Sequence, residues 1–460
     1  MTQHYTNIKT KQYTRTSGSD GISSKKPEQV KLPATKHTVA VIGLGYVGLP
    51  LALAVETRGY SIIGIDTDQN KVRDLRERTA SYLLLTNTER ARLAMSTMRV
   101  FADNAELQKA DTVVVCVPTP VDEKHLPNLG PLEGATRLIA EKLRKGQLVV
   151  IESTVNPGVC EDVVLPILEK TSGLTLGKDF YLAHCPERIN PGDSRWTVET
   201  IPRVIGANDK ESLARAVQFY GEIIDGNILP MGSLKEAEAV KIVENSFRDI
   251  NIAFVNELAM SFDKLGIDTV NVINGAATKP FSFLAHYPGC GVGGHCIPVD
   301  PYYLITHAQK NGFQHRFLAT AREINNGMPL HTVNLLEKEL AKIERPITAA
   351  TVALLGLSYK KNVPDLRESP ALVILEELKR RGAKVKTFDP LLPKESTAAS
   401  LESALFGTDA AILATDHENF RNLSPELLCQ NGVRILMDGR NFFPKQKFIE
   451  AGIVYKGIGR

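Results

Sequence analysis

The sequence predicts an α/β protein with two Rossmann-like doubly wound domains joined by a long central helix and further helical sequence. Three observations carry this reading. Thr38–Ile42, a buried-strand run, flows into Gly43-Leu44-Gly45-Tyr46-Val47-Gly48 and an apolar helix, and a second strand then ends at Asp66. Ser233–Leu265 contains neither Pro nor Gly and repeats apolar residues at helical spacing. Past Pro346 the alternation of strand and helix restarts, without a second glycine fingerprint.

Composition narrows the class. At 460 residues the chain can bury two or three full cores. A net charge of +3 gives no reason to expect nucleic acid or a membrane surface as partner. The six cysteines are scattered, with no CxxC pair and no ligand spacing, which argues for a reducing compartment and against a metal site. No apolar run is long enough to cross a membrane and no signal core opens the chain, so a cytoplasmic protein is expected. Residues 1–36 are rich in Lys, Thr, Ser and Gln and poor in aliphatics; they read as a disordered tail.

The first domain is placed at residues 37–230. Within it, Gly43 makes the turn, Gly45 admits a pyrophosphate, Gly48 lets helix and strand pack, and the helix N-terminus faces the phosphates. Asp66 accepts from a ribose diol and disfavours a 2′-phosphate, so the expected cofactor is NAD. Further strands are read at Thr112–Val117, Leu148–Glu152, Tyr181–His184 and Pro202–Gly206. Ligands of an open parallel sheet sit beyond the carboxyl ends of its strands, which places Thr119, Glu152 and Thr154 near the cofactor unless they only cap turns.

Residues 231–343 form the central helical domain. Its first helix is about 50 Å long, enough to bridge two domains or two subunits. Lys241, Asn245 and Arg248 share one face: either the wet side of the helix or a cation and an amide aimed at a site. Pro288–Tyr303 follows, crowding four glycines, Cys296 and Asp300 into one loop. A thiol there is a candidate nucleophile if a base or a lowered pKa activates it, and otherwise an inert cysteine in a turn. Residues 344–460 form the second α/β unit, whose polar loops carry Tyr359, Lys360, Arg367 and Arg440. Lys and Arg at strand ends suit a phosphorylated ligand.

Taken in order, GLGYVG, the Pro-Thr after Val117, STVNPG, PER, KIVEN, GGHC with Asp300 four residues on, and YKKNVPDLRESP resemble the UDP-glucose/GDP-mannose dehydrogenase family from His37 to the C-terminus. The resemblance implies an NAD-binding domain, a central helical dimerisation region and a C-terminal domain for the UDP-sugar. It also implies four-electron oxidation of a sugar 6-hydroxyl to the acid, supplying surface polysaccharide or glycan precursors. In that chemistry Cys296 carries a thiohemiacetal and then a thioester. Lys241 and Asn245 stabilise oxygen charge, Asp300 handles water, and Thr119 and Glu187 stand near the reacting carbon. Tyr46, Val47, Asp66, Lys71, Glu152 and Thr154 match cofactor positions, as does Arg367, across a subunit boundary or within the chain. Arg188, Arg248, Phe281, Gly293, Tyr359, Lys360 and Arg440 match positions around the sugar and its diphosphate.

One departure bears on the substrate. UDP-glucose dehydrogenases carry a second glutamate four residues after the position of Glu187, where this chain has Pro191. PERINPG, FRDINIAFVNELA and TKPFSF resemble the branch acting on 2-acetamido sugars, so UDP-N-acetylglucosamine is favoured, then its mannosamine epimer. Cys290, where that branch commonly has proline, reads as incidental. A two-electron hydroxyacid dehydrogenase would have no use for Cys296 or the second α/β unit, and a non-catalytic NAD-binding regulator no use for the Cys296–Asp300 set.

Overall fold

The computed structural model describes residues 37–83, 85–122, 127–189 and 195–460. The tail read at 1–36, and Pro191 with the rest of its loop, lie outside the described residues. Six parallel strands form the first sheet: β1 (Thr38–Ile42), β2 (Ser61–Ile65), β3 (Arg99–Phe101), β4 (Thr112–Val115), β5 (Leu148–Ile151) and β6 (Tyr181–His184). Their order is β3-β2-β1-β4-β5-β6, so the strand order reverses beside β1. That reversal opens a crevice beyond the strand ends, where the Gly43–Gly48 turn lies. β4 and β5 stop earlier than read, because Cys116-Val117 and Glu152 already belong to the loops that rim this crevice.

The strand read at Pro202–Gly206 is β7 (Arg203–Ile205), and it does not join the main sheet. It pairs with β8 (Ile228–Pro230) and touches the end of β6 through a bridge between His184 and Gly206.

The long helix is Leu234–Leu265, opened by the Ser233 hydroxyl accepting from the Glu236 amide and closed by Gly266 at φ +70. Its buried face is not the apolar stripe of the sequence. Asn245, Asp249 and Asn256 turn inward, while Val243, Phe247 and Phe254 are about half exposed. The inward face meets helix Arg316–Lys342 through a polar seam. Arg322 donates to Asp249 at 2.6 Å, Asn325 to the same carboxylate at 2.8 Å, and Asn256 to Asn325 at 2.9 Å. These pairs offset much of the cost of burying the groups, although Asp249 Oδ2 and Arg322 Nε have no partner among the described residues, and they set the register between the two helices.

The second α/β unit holds five parallel strands: β9 (Thr351–Leu355), β10 (Lys384–Phe388), β11 (Ala410–Leu413), β12 (Ile435–Asp438) and β13 (Val454–Gly457). Their order, β10-β9-β11-β12-β13, again reverses beside the first strand of the unit. Asp389 ends β10 as Asp66 ends β2, and each accepts an amide from the turn after its neighbouring strand, Leu357 or Leu44. Both units are thus doubly wound, although only one has the glycine fingerprint. No described helix is long and apolar enough to cross a membrane.

Candidate active site

The glycine turn fits a dinucleotide. A side chain at Gly48 would bring its Cβ within 1.9 Å of the Gly43 carbonyl oxygen, so only glycine lets the helix start here. Gly45 faces open space. Helix Gly48–Thr57 has no side-chain cap and no acid in its first turn; the Leu49 and Leu51 amides donate to the Gly45 and Val47 carbonyls and Pro50 has none, which leaves the Val47 and Gly48 amides for an anion. Val47 and Tyr46 lie half-buried on the approach to this helix. Asp66 is held by the amides of Leu44 at 2.9 Å and Asp68 at 3.0 Å, with Lys71 3.5 Å away. Each carboxylate oxygen keeps a second lone pair for a ribose diol.

On the other wall of the crevice the Thr119 hydroxyl donates to the Thr154 carbonyl at 2.6 Å. Tyr303, which sequence reasoning passed over, donates to the Thr119 carbonyl and ties this wall to helix Asp300–Lys310. Glu152 behaves differently from its neighbours. Its carboxylate turns into the protein, accepts from Tyr220 at 2.5 Å and pairs with Arg203 at 3.4 Å, so it does not present itself to the crevice.

Cys296 stands one turn before helix Asp300–Lys310, its carbonyl accepting from the amides of Val299 and Asp300. The loop before it is clamped from two sides. Gly289 donates to Asn256 of the central helix at 3.0 Å, and Gly294 to the Arg367 carbonyl at 3.0 Å. Gly293 packs so closely on the second unit that a Cβ would lie 2.6 Å from the Glu368 carbonyl oxygen and 2.7 Å from Tyr359 Cβ. Cys290 is fully buried, donates to the Ala414 carbonyl at 3.4 Å, and takes no part in the cleft.

Asn245 donates to Asp300 at 2.5 Å. Burial raises the Asp300 carboxyl to about 7, against the pull of the Asn245 hydrogen bond and the Lys241 charge. A carboxylate at a helix N-terminus is ordinarily favoured by the helix dipole. Here desolvation wins, and the group becomes a base that titrates near neutrality. Burial likewise pushes the Cys296 thiol up to about 12, with Asp300 and Glu187 raising it and Lys241 and Arg367 lowering it. The resting thiol is therefore protonated and needs a base. His295 is held down at about 4 by the protein around it and by Arg367 and Lys241, so it is neutral.

Glu187, Lys241, Asn245, Cys296 and Asp300 thus converge although the set spans more than a hundred residues of sequence. Arg188 is already engaged, with Glu244 of the central helix and with the Pro202 carbonyl. Arg248 is exposed and makes no ion pair or hydrogen bond among the described residues, which leaves it the freer cation. Arg367 pairs with Asp365 at 2.5 Å, and within one chain both charges are close enough to act on the Tyr46 phenol. Arg440 donates to the Ala414 carbonyl at 2.7 Å and lines Gly289. Lys360 and Tyr359 are half-buried in the loop after β9. Phe281 is exposed, with Lys279 over its ring, and lies outside this cluster.

Comparison with known proteins gives a consistent picture. Models of the UDP-glucose/GDP-mannose dehydrogenase family match in order: the NAD binding domain at residues 37–224, the central domain at 235–327 and the UDP binding domain at 353–445. The chain is 40% identical over 395 residues to the UDP-N-acetyl-D-glucosamine 6-dehydrogenase of Pseudomonas aeruginosa, covering 84% of this chain and 92% of that one. It is 35% identical over 425 residues to the UDP-N-acetyl-D-mannosamine dehydrogenase of Pyrococcus horikoshii, covering 92% and 99%. A solved structure of a UDP-D-ManNAc dehydrogenase from Pyrococcus horikoshii superposes with a TM-score of 0.86 at 35% identity, covering 92% of this chain and 99% of that one.

Proposed function

Because the chain belongs to the UDP-glucose/GDP-mannose dehydrogenase family and is an NAD-using nucleotide-sugar dehydrogenase, we propose that it oxidises the 6-hydroxyl of a UDP-N-acetylhexosamine to the uronic acid. UDP-N-acetylglucosamine is the favoured substrate and its mannosamine epimer the second, and the product feeds surface polysaccharide or glycan synthesis. The observation that carries the reading is the Asp300–Asn245 contact beside Cys296, with the Lys241 charge acting on both Asp300 and Cys296.

NAD, when bound on the Gly43–Gly48 turn and Asp66, takes a hydride in each half of a four-electron oxidation. The chain's own residues do the rest. Thr119 and Glu187 orient the sugar's reacting end. Asp300, titrating near pH 7, draws the proton from Cys296, whose thiolate adds to the aldehyde. Lys241 and Asn245 stabilise the oxygen charge of the resulting thiohemiacetal. Asp300 passes the thiol's proton to solvent; once the thioester forms it serves a second time, drawing a proton from the hydrolytic water and returning it to the departing Cys296 thiolate. Lys360 and Arg440 offer cations to the diphosphate.

The acetamido group is read at the Glu187 side of the cleft, where Arg248 is the cation open to its carbonyl. Once the bound sugar covers that contact and excludes water from it, the analogue lacking the acetamido group leaves the donor unpaired and is rejected. The expected result is that kcat/KM for UDP-glucose falls at least about 100-fold below that for the better of the two acetamido sugars. Equal or higher kcat/KM for UDP-glucose would overturn this assignment.

We also propose that the active form is a dimer through the central helix. Val243, Phe247 and Phe254 are 57%, 48% and 52% exposed and share one face, and burying them removes apolar surface from water. Light scattering at assay concentrations should give at least twice the 50.5 kDa chain mass. An active species of single-chain mass would refute it.

A further inference from the structure

Beneath Glu187 lies a buried charge cluster to which the proposed chemistry assigns no task. Arg203, in β7, is 1% exposed. Its guanidinium lies 3.4 Å from the Glu152 carboxylate and 3.6 Å from that of Glu187. The Tyr220 hydroxyl donates to the other oxygen of Glu152 at 2.5 Å, and Tyr220 too is fully buried.

Such a cluster is a poor way to gain stability. Stripping a guanidinium and two carboxylates of water is costly, and well-packed apolar residues serve the fold as well. The Arg203 Nε is moreover buried with no hydrogen-bond partner among the described residues, a further cost. What the arrangement does achieve is geometric. Glu152 is gripped on one side by Tyr220 and on the other by Arg203, so the guanidinium is fixed from below. The contacts to Glu187 all fall on one oxygen: Oε1 faces Arg203 and accepts from the Ile189 amide at 2.6 Å. Oε2 accepts no hydrogen bond among the described residues.

We propose that Arg203 is a positioning residue for Glu187, with Glu152 and Tyr220 as its rigid mount, so that one carboxylate oxygen is pinned and the other is presented to the substrate. The proposal rests on the reading of Glu187 as a residue at the sugar's reacting end. It also gives Glu152 a task that suits its inward orientation: it acts on the site through Arg203, not by touching the cofactor.

The test is a double-mutant cycle with steady-state kinetics on UDP-N-acetylglucosamine and UDP-N-acetylmannosamine. Tyr220→Phe removes one hydroxyl and keeps the ring; Arg203→Lys keeps the charge and loses the fork. Tyr220→Phe should lower kcat about 3- to 10-fold and Arg203→Lys about 10- to 100-fold, with KM for NAD within about 2-fold of wild type. In a Glu187→Gln background neither should lower kcat more than about 2-fold further, because their path runs through Glu187. Undiminished, independent losses in that background would overturn the proposal, as would wild-type kcat in both single variants. If Arg203→Lys does not fold, the Tyr220→Phe cycle decides alone. Wild-type turnover by Glu187→Gln on its own is a separate failure: it removes the reading of Glu187 and the positioning proposal with it.

Discussion

Cys296→Ser is expected to arrest the reaction after its first half, lowering steady-state formation of the uronic acid by about 10³-fold or more. The loss is large because the second oxidation needs a covalent adduct that a hydroxyl forms poorly. Serine in place of the thiol keeps the shape of the loop but supplies a far weaker nucleophile and a far worse leaving group in the hydrolytic step. Even the thiol is protonated at rest, lifted to about 12 by burial and by the charges of Asp300 and Glu187. A serine hydroxyl in the same surroundings is further still from ionising. In a single turnover the wild type should form two NADH per sugar and the variant about one, with the sugar retained as the aldehyde or its hemiacetal. Complete conversion to the acid by Cys296→Ser would rule out the covalent role.

The second large effect is expected at Asp300, and it has two signs. With its carboxyl at about 7, Asp300 is protonated in acid and cannot accept the thiol proton. Activity should therefore fall about 10-fold per pH unit below pH 7 and level off above it. Asp300→Asn should abolish that acid limb and cut kcat by about 10²- to 10⁴-fold. Stability moves the other way. A carboxyl whose folded pKa is raised stabilises the fold fully below its unfolded pKa, near 4, and that contribution is lost as pH climbs through 7. Above pH 7 the wild type carries a buried carboxylate, at a cost on the order of 4 kcal/mol before relaxation. Asp300→Asn should thus melt at or above the wild-type temperature at pH 8, and the advantage should shrink as pH falls toward 4. An acid limb that survives in the asparagine variant would show that another group is the base.

What could be read from the chain alone were features whose physics is local. The turn Gly43–Gly48 is one, because a Cβ at Gly48 would collide with a carbonyl five residues away in the same turn. The span of the central helix is another: Ser233 caps it and Gly266 ends it, as side chains and backbone dictate within a few residues. The cysteine loop was visible as a cluster of residue types, and the resemblance ordered the remaining motifs.

The facing of the central helix was decided only by tertiary packing. Its apolar stripe looks outward because the partner helix offers Arg322 and Asn325, which draw Asn245's neighbours Asp249 and Asn256 inward. Short strands such as β3, β8 and β13 depend on a neighbour's hydrogen bonds, and three or four residues carry too little pattern to announce one. Arg203 left a faint trace, a cation directly before the apolar pair Val204-Ile205. Its partners Glu152, Glu187 and Tyr220 lie 16 to 51 residues away in sequence, and only the fold assembles them. The acidities of Asp300 and Cys296 belong to the same class. The sequence determined which groups could ionise, whereas burial, a property of the packed molecule, determined that the carboxyl titrates near 7 and that the thiol is pushed up to about 12.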